Sequence, residues 1–442
     1  MNAPLYAVPS VSLSEATRVF TRIGLLSFGG PAGQIALMHR ILVDEKRWLD
    51  EARFLHALNY CMLLPGPEAM QFATYAGWLL NGVRGGLIAG LLFVLPGAIV
   101  ITVLSAIYML FGDVPLVQGL LFGLKAAVLA LVLEALIKVS KRALKGWTMV
   151  ALAIAAFVAI AFLKLPFPVI IIGAAVCGVV MHFAKGAGEV GGVQSETFAA
   201  QPEWTQPSAR RLIVTVAVWS AIWLLPLAAL HLALGGQHVF SAEALFFSKM
   251  AAVTFGGAYA VLSYVAQQAV DIHHWLQPDE MLAGLGLAET TPGPLILVLA
   301  FVGFLGGARH SGLDPLVGGI IGSLVTLWFT FVPCFLWIFA GAPYVETVRS
   351  VRWLATALAA VTAAVVGIIA NLALWFALHV LFGTVGEVAV GPLAVPVPDF
   401  STFDLAAAIV ALGAGVALIR FKANLFAVLT AAMAAGVVLK GF

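Results

Sequence analysis

Charge is what this chain most lacks: only 10% of its 442 residues are Asp, Glu, Lys or Arg, against about 25% in soluble domains. So few charges cannot cover a water-facing surface of this size, which excludes a soluble enzyme, a nucleic-acid-binding protein and a disordered scaffold. Cysteine is also scarce. Cys61, Cys177 and Cys334 lie in apolar runs without CxxC or Cys/His spacing, so neither a disulfide framework nor a zinc site is expected. HExxH, GxSxG and GxxxxGK are all missing, leaving no catalytic constellation, no nucleotide loop for ATP-driven pumping and no expected cofactor. The net charge of +2 marks no acidic partner. Met1 to Ser14 lack the basic start and apolar stretch of a secretory signal, so the spans themselves are expected to drive membrane insertion.

What the chain has is apolar sequence: 62% hydrophobic residues and a mean hydropathy of +1.05. Lipid is the main solvent, and an all-α polytopic membrane protein is expected. A spanning helix needs roughly 20 mostly apolar residues. That rule predicts about thirteen transmembrane helices: 20–43, 54–82, 85–111, 116–138, 147–163, 167–184, 210–234, 243–270, 280–307, 315–340, 352–382, 404–420 and 423–441. The first and eighth contain central glycines, so full crossing and re-entry both stay open for them. Residues 185–209 read as a polar cytoplasmic linker. With the N-terminus inside, fourteen Lys and Arg fall in cytoplasmic loops and six, including Lys46, Arg47 and Arg53, in external ones. The segment Gly383 to Phe403 holds neither. The positive-inside rule therefore favours N-inside, C-outside.

Sliding the chain against itself by 227 residues exposes an internal duplication. Phe28-Gly29-Gly30 falls on Phe255-Gly256-Gly257, and Pro65-Gly66-Pro67 on Pro292-Gly293-Pro294. Between them Asp44 meets Asp271, Trp48 meets Trp275 and Leu49 meets Leu276, without a gap. The implied plan is a first repeat over 14–184, one extra helix over 210–234, and a second repeat over 243–442. A single inserted span turns the second repeat upside down, the inverted-repeat plan of secondary transporters with a site near the midplane.

Both motifs break helices, because proline lacks an amide hydrogen and glycine adds backbone freedom. Unpaired backbone groups in lipid are costly, so four symmetric breaks are read as half-helices meeting around a cavity. Their N-termini suit an anion. Candidate binding residues are the breaks themselves, the cations Arg22 and Lys249 six residues before the Phe of each Phe-Gly-Gly, the hydroxyls of Ser27, Thr254, Thr290 and Thr291, and the amide of Gln34. Two such cations could face a dianion, although Arg22 equally suits a helix-end anchor and the hydroxyls equally suit capping of the breaks. Glu68 and Glu289 flank the breaks and could carry a coupling proton or pair with the cations. Glu134 is expected to pair with Lys125 or with Lys138 at i+4.

The runs Phe28-Gly-Gly-Pro-Ala-Gly-Gln34, Leu64-Pro-Gly-Pro-Glu-Ala69 and Gly90-Leu-Leu-Phe-Val-Leu-Pro-Gly97, with Thr254-Phe-Gly-Gly257 and Thr290-Thr-Pro-Gly-Pro294 in the second half, resemble the chromate ion transporter family in its long-chain, two-domain form. The resemblance covers essentially the whole chain from Ser14. It implies a multi-pass bacterial inner-membrane protein that exports chromate, is driven by the proton gradient and confers chromate resistance. Chromate and protons would be its partners, with sulfate, a similar tetrahedral dianion, as the competing substrate and a homodimer as one candidate assembly. Matched motif positions are Phe28, Gly29, Gly30, Pro31, Gly33, Gln34, Pro65 to Glu68, Phe255 to Gly257 and Pro292 to Pro294. The second half departs at Ala258, Val261 and Leu295, which replace Pro31, Gln34 and Glu68, so an asymmetric site is expected. An inward sulfate permease and a passive anion channel remain the alternatives.

Overall fold

The computed structural model describes residues 10–184, 203–255, 258–345 and 352–440. Most of the linker (185–202), together with Gly256 and Gly257, lies outside them. Helix dominates because a backbone in lipid must pair its own polar groups.

The first expected span is not one rod. Helix α1 (Leu13–Leu26) starts at Ser12, whose hydroxyl accepts the Glu15 N–H. The chain breaks after α1 and restarts as α2 (Gly30–His39), which runs on through a π-helical turn at Arg40–Glu45. Lys46 then pairs with Glu15 at 2.8 Å, and Arg22 with Glu45 at 2.8 Å. A continuous helix would hold residues 15 and 46 about 46 Å apart at 1.5 Å per residue. The segment is a re-entrant hairpin with Ser27 to Gly30 at its tip.

The second segment turns back as well. Helix α3 (Glu51–Cys61) leads to the Pro65-Gly66-Pro67 break, and α4 (Glu68–Phe111) follows. The Phe54 and Phe72 rings lie 4.5 Å apart across that break. Asn81 and Gly82 leave helical geometry, dividing α4 into two helices. Gly77 and Gly85 then face each other so closely that a Cβ on either would strike the other's carbonyl. The Asn81 amide donates to the Val11 carbonyl at 2.7 Å, returning the first half of α4 to the end where α1 began.

The second repeat follows the same plan. Helices α9 (Val239–Val253) and α10 (Ala258–Ala266, extended by a π turn at Gln267–Ile272) bring Phe246 within 6.2 Å of His273, ring to ring. Helices α11 (Pro278–Glu289) and α12 (Val298–His310) close when Arg309 grips Glu280 through two bonds of 2.7 and 2.6 Å. Four of the thirteen expected segments, 20–43, 54–82, 243–270 and 280–307, are therefore hairpins of half-helices. Hydropathy counts apolar residues and is blind to a turn in the middle of the run.

The remaining segments are longer or straighter: the second half of α4, α5 (Pro115–Ala143), α6 (Trp147–Ala161), α7 (Phe167–Ala184), α8 (Ala209–Leu234), α13 (Pro315–Gly341), α14 (Arg352–Leu381), α15 (Leu405–Gly415) and α16 (Leu425–Leu439). Among the described residues, six helices are long and apolar enough to cross a membrane, and with the shorter apolar ones they make a multi-pass membrane protein. Helix α8 buries none of its residues. It leans on the bundle through Trp219, stacked on Phe335 at 5.5 Å, and Trp223, which donates to the Ser248 hydroxyl at 3.0 Å. One departure from the all-α expectation is an antiparallel hairpin, β1 (Val385–Val390) and β2 (Leu393–Pro398), inside the Lys/Arg-free loop.

Candidate functional site

In each Pro-Gly-Pro break only the glycine owns an N–H, since proline has none. Both glycine N–H groups find an acceptor in the opposite repeat. Gly66 donates to the Thr254 carbonyl at 2.8 Å, and Gly293 donates to the Ser27 carbonyl at 2.7 Å. Ser27 and Thr254 are 227 residues apart, as are Gly66 and Gly293, so the two bonds are equivalents under the repeat. Each hairpin tip is thus seated in the proline break of the other half. Glycine is required there twice over: φ is +122° at Gly66 and +95° at Gly293, where a side chain is strained. A Cβ on Gly66 would also lie 2.8 Å from the Cys334 sulfur and the Gln71 amide nitrogen. Gly97 in α4 passes so near the second break that a Cβ would collide with the Pro292 carbonyl.

The nominated hydroxyls act on the backbone. Ser27 and Thr254 each donate to the carbonyl four residues earlier, Ile23 and Met250, at 2.6 Å. Thr290 and Thr291 both donate to the Leu287 carbonyl at 2.8 Å. They bond carbonyls at helix ends, the Leu287 carbonyl accepting the Thr290 N–H as well. Gln34 is buried and reaches across the repeats, its Nε2 donating to the Gly293 carbonyl at 2.6 Å. Its Oε1 is buried and has no partner among the described residues.

The charged candidates do not converge on the tips. Arg22 is half exposed and neutralised by Glu45. Lys249 is exposed and lines a cavity of about 560 Å³ with Gln237, Gln268, His273, Trp275 and His310. The position matching Glu45 is Ile272, and no carboxylate lies within ion-pair distance of Lys249 among the described residues. Burial, then the neighbouring His274, holds the loop residue His273 below the ordinary imidazole pKa. Of the carboxylates, Glu289 is buried and accepts the Tyr259 O–H at 2.5 Å. Glu68 is half-buried at the first position of α4, where a helix N-terminus favours negative charge. Glu134 pairs with Lys138 at 2.6 Å, the i+4 partner expected.

Two contributors escaped the sequence reading. Gln71 is fully buried and donates to the Pro65 carbonyl at 2.7 Å, doing within the first break what Gln34 does across to the second. Tyr259 holds Glu289. The signal for Gln71 was present, as one amide in an apolar run four residues after Pro67. A second cavity, about 1080 Å³, opens between α4, α5, α11 and α15. Each of its three cations is tied to an acid: Lys125 to Asp279 at 2.7 Å, Arg309 to Glu280 at 2.6 Å, and Lys440 to Asp404 at 3.1 Å. Among the described residues, no tip or break residue lines either cavity.

The sequence profile described as chromate transporter matches residues 14–179 and 242–437, the two halves found by the 227-residue offset. The chain is 25% identical over 373 residues to the chromate transport protein of Cupriavidus metallidurans, covering 83% of this chain and 82% of that one. It is 28% identical over 366 residues to the chromate transport protein of Pseudomonas aeruginosa, covering 82% and 80%. An uncharacterized transporter of Methanocaldococcus jannaschii is 24% identical over 361 residues, covering 82% and 83%. No solved structure matches the chain.

Proposed function

The chain belongs to the chromate transporter family, and from that premise we propose that it exports chromate across the bacterial inner membrane as a secondary transporter coupled to protons, conferring chromate resistance. The observation that carries this reading is the reciprocal pair of bonds from Gly66 to Thr254 and from Gly293 to Ser27. Each glycine N–H is now covered by a carbonyl oxygen, which stands where an oxygen of a tetrahedral oxyanion would sit. Withdrawing one tip uncovers the N–H of the opposite break for the anion, and reseating the tip expels it. Binding and closure then compete for the same donor, so a loaded site and a sealed site are alternatives. The two breaks, the first tip at Gly29-Gly30 and Gln34 form the binding region in this proposal, with Gly256-Gly257, outside the described residues, added by its sequence match to the first tip.

The topology we infer is two inverted repeats, 14–184 and 243–442, turned against each other by the helix 210–234. Re-entry of the first hairpin supports an inside N-terminus more strongly than thirteen simple crossings would. It moves Lys46, Arg47 and Arg53 to the N-terminal side, leaving Lys164, Arg309 and Lys440 as the external cations, in keeping with the positive-inside rule. Lys249 serves as an anion-attracting group in its cavity, and Glu68 and Glu289 are candidate proton carriers flanking the breaks.

The test is radiolabelled chromate flux into inverted membrane vesicles, with and without an imposed proton gradient and with sulfate as competitor. Gradient-driven uptake is expected, since uptake into inverted vesicles is export in the cell. Sulfate moving in place of chromate would change the substrate, and flux indifferent to a proton ionophore would replace the carrier with a channel.

A further inference from the structure

Glu243, one turn into α9, is fully buried, and neither carboxyl oxygen has a hydrogen-bond partner among the described residues. A carboxyl sealed from both water and partners is expensive to keep in an apolar bundle. Packing does not require it. The residue 227 positions earlier is Ala16, buried at the same place in α1. The residue matching Leu79 is Gly306, and a Cβ on that glycine would come within 2.6 Å of Glu243 Oε1. The second repeat has therefore exchanged a small/large pair, Ala16 and Leu79, for Glu243 and Gly306, making room for the acid.

Trp275 stands over it. The Cβ of an alanine at Gly306 would also lie 3.1 Å from Trp275 Cγ, so indole and carboxyl share one small space. The indole is stacked with His273 at 4.4 Å and walls the cavity that contains Lys249. The Trp275 carbonyl is held by Arg309 at 3.2 Å. Titratable groups on the surrounding elements are committed elsewhere or lie apart. Arg309 is held by Glu280, and His310 lies 3.2 Å from the His274 carbonyl. His273 stacks on the indole, and Lys249 lies nearly two turns further along α9. His231 lies at the end of α8 that adjoins α9, its ring against Gly236, and the His238 ring caps the Phe240 N–H. Helix α13, packed along α9, contains no Asp, Glu, Lys, Arg or His.

We propose that Glu243 is a proton-binding site of the transport cycle, reached from the Lys249 cavity when Trp275 swings aside. The carboxyl takes a proton from water in that cavity, is carried sealed behind the indole, and returns it when the second hairpin moves. No bond other than O–H forms or breaks. This rests on the proton-coupled reading above and adds a third acid to Glu68 and Glu289, on the hairpin that also bears the unpaired lysine.

Glu243→Gln keeps the shape of the side chain and cannot carry a proton. In inverted vesicles the variant should lose gradient-driven chromate uptake by at least about tenfold while keeping chromate–chromate exchange near the wild-type rate, because exchange needs no net proton movement. Full gradient-driven uptake in Glu243→Gln, with the wild type gradient-dependent, overturns this proposal alone. A wild type indifferent to the gradient overturns it together with the coupling reading. Should the variant fail to reach the membrane, carbodiimide modification of the unaltered protein, mapped by peptide mass spectrometry, decides. Labelling of Glu243 that falls as pH rises and tracks loss of uptake is expected, and an unlabelled Glu243 in protein inactivated through other carboxyls contradicts it.

Discussion

The hairpins at 20–43 and 243–270 share a backbone and differ in their charges. Both break at the same place, both cap the break with a hydroxyl onto the carbonyl four residues back, and both seat their tips in the opposite Pro-Gly-Pro. The first neutralises its cation with Glu45 and buries Gln34 at the crossing point. The second offers Lys249 no carboxylate among the described residues, has Val261 where Gln34 stands, and seals Glu243 beneath Trp275. Symmetry is kept where helices must be broken and their polar groups satisfied. It is lost where ions are handled, so scaffold and chemistry separate within one duplicated unit.

The largest effects should come from the symmetric part. Gly66→Ala and Gly293→Ala each put a side chain at positive φ, and the first also drives a methyl toward Cys334 and Gln71. Each should cost about 1–3 kcal/mol and abolish chromate flux, measured as thermal unfolding in detergent and uptake in vesicles. Equal losses from the two would sharpen the symmetry, whereas a neutral variant at either would break it.

Next come the cations, where the hairpins should diverge. Lys249→Ala is expected to lower chromate flux about tenfold, while Arg22→Ala should change it less than about twofold. The exposed Arg22–Glu45 pair is worth only about 0–1 kcal/mol. Vesicle uptake against chromate concentration separates them, and equal losses would restore a symmetric two-cation site. Gln34→Leu leaves the buried Gly293 carbonyl without its donor and should cost about 1–3 kcal/mol, whereas Val261→Gln should rescue nothing. Parallel unfolding curves for wild type and Gln34→Leu would count against the bridge. The smallest effect belongs to the scaffold pair Glu134–Lys138. Glu134→Gln should shift stability by about 0.5 kcal/mol at most, readable as a small displacement of the same unfolding curve.

The breaks were legible in the sequence because Phe-Gly-Gly and Pro-Gly-Pro constrain the backbone wherever they occur, and a repeat of both at one offset marks a shared role. Partnering was not legible. Nothing local tells Gly66 that its acceptor is Thr254, 188 residues on, since only the packed bundle brings them together. Central glycines left re-entry open for 20–43 and 243–270, but fold-back of 54–82 and 280–307 escaped because apolar half-helices in series present the same hydropathy as one long helix. Arg22 looked equivalent to Lys249 by position, and the difference lay in Glu45 against Ile272, a contact across the hairpin. Glu243 sits at the edge of an apolar run, where a carboxylate reads as a helix start, and its burial arises from Gly306 and Trp275 in later segments.

The central claim is that a tip must leave the opposite break for an ion to pass. Ser27→Cys with Thr291→Cys, in a variant whose Cys61, Cys177 and Cys334 are replaced by serine, allows the first tip to be tethered beside the second break with a short reducible bifunctional thiol reagent. Chromate uptake in inverted vesicles should stop on cross-linking and return on reduction. Undiminished uptake by fully cross-linked protein would contradict the account.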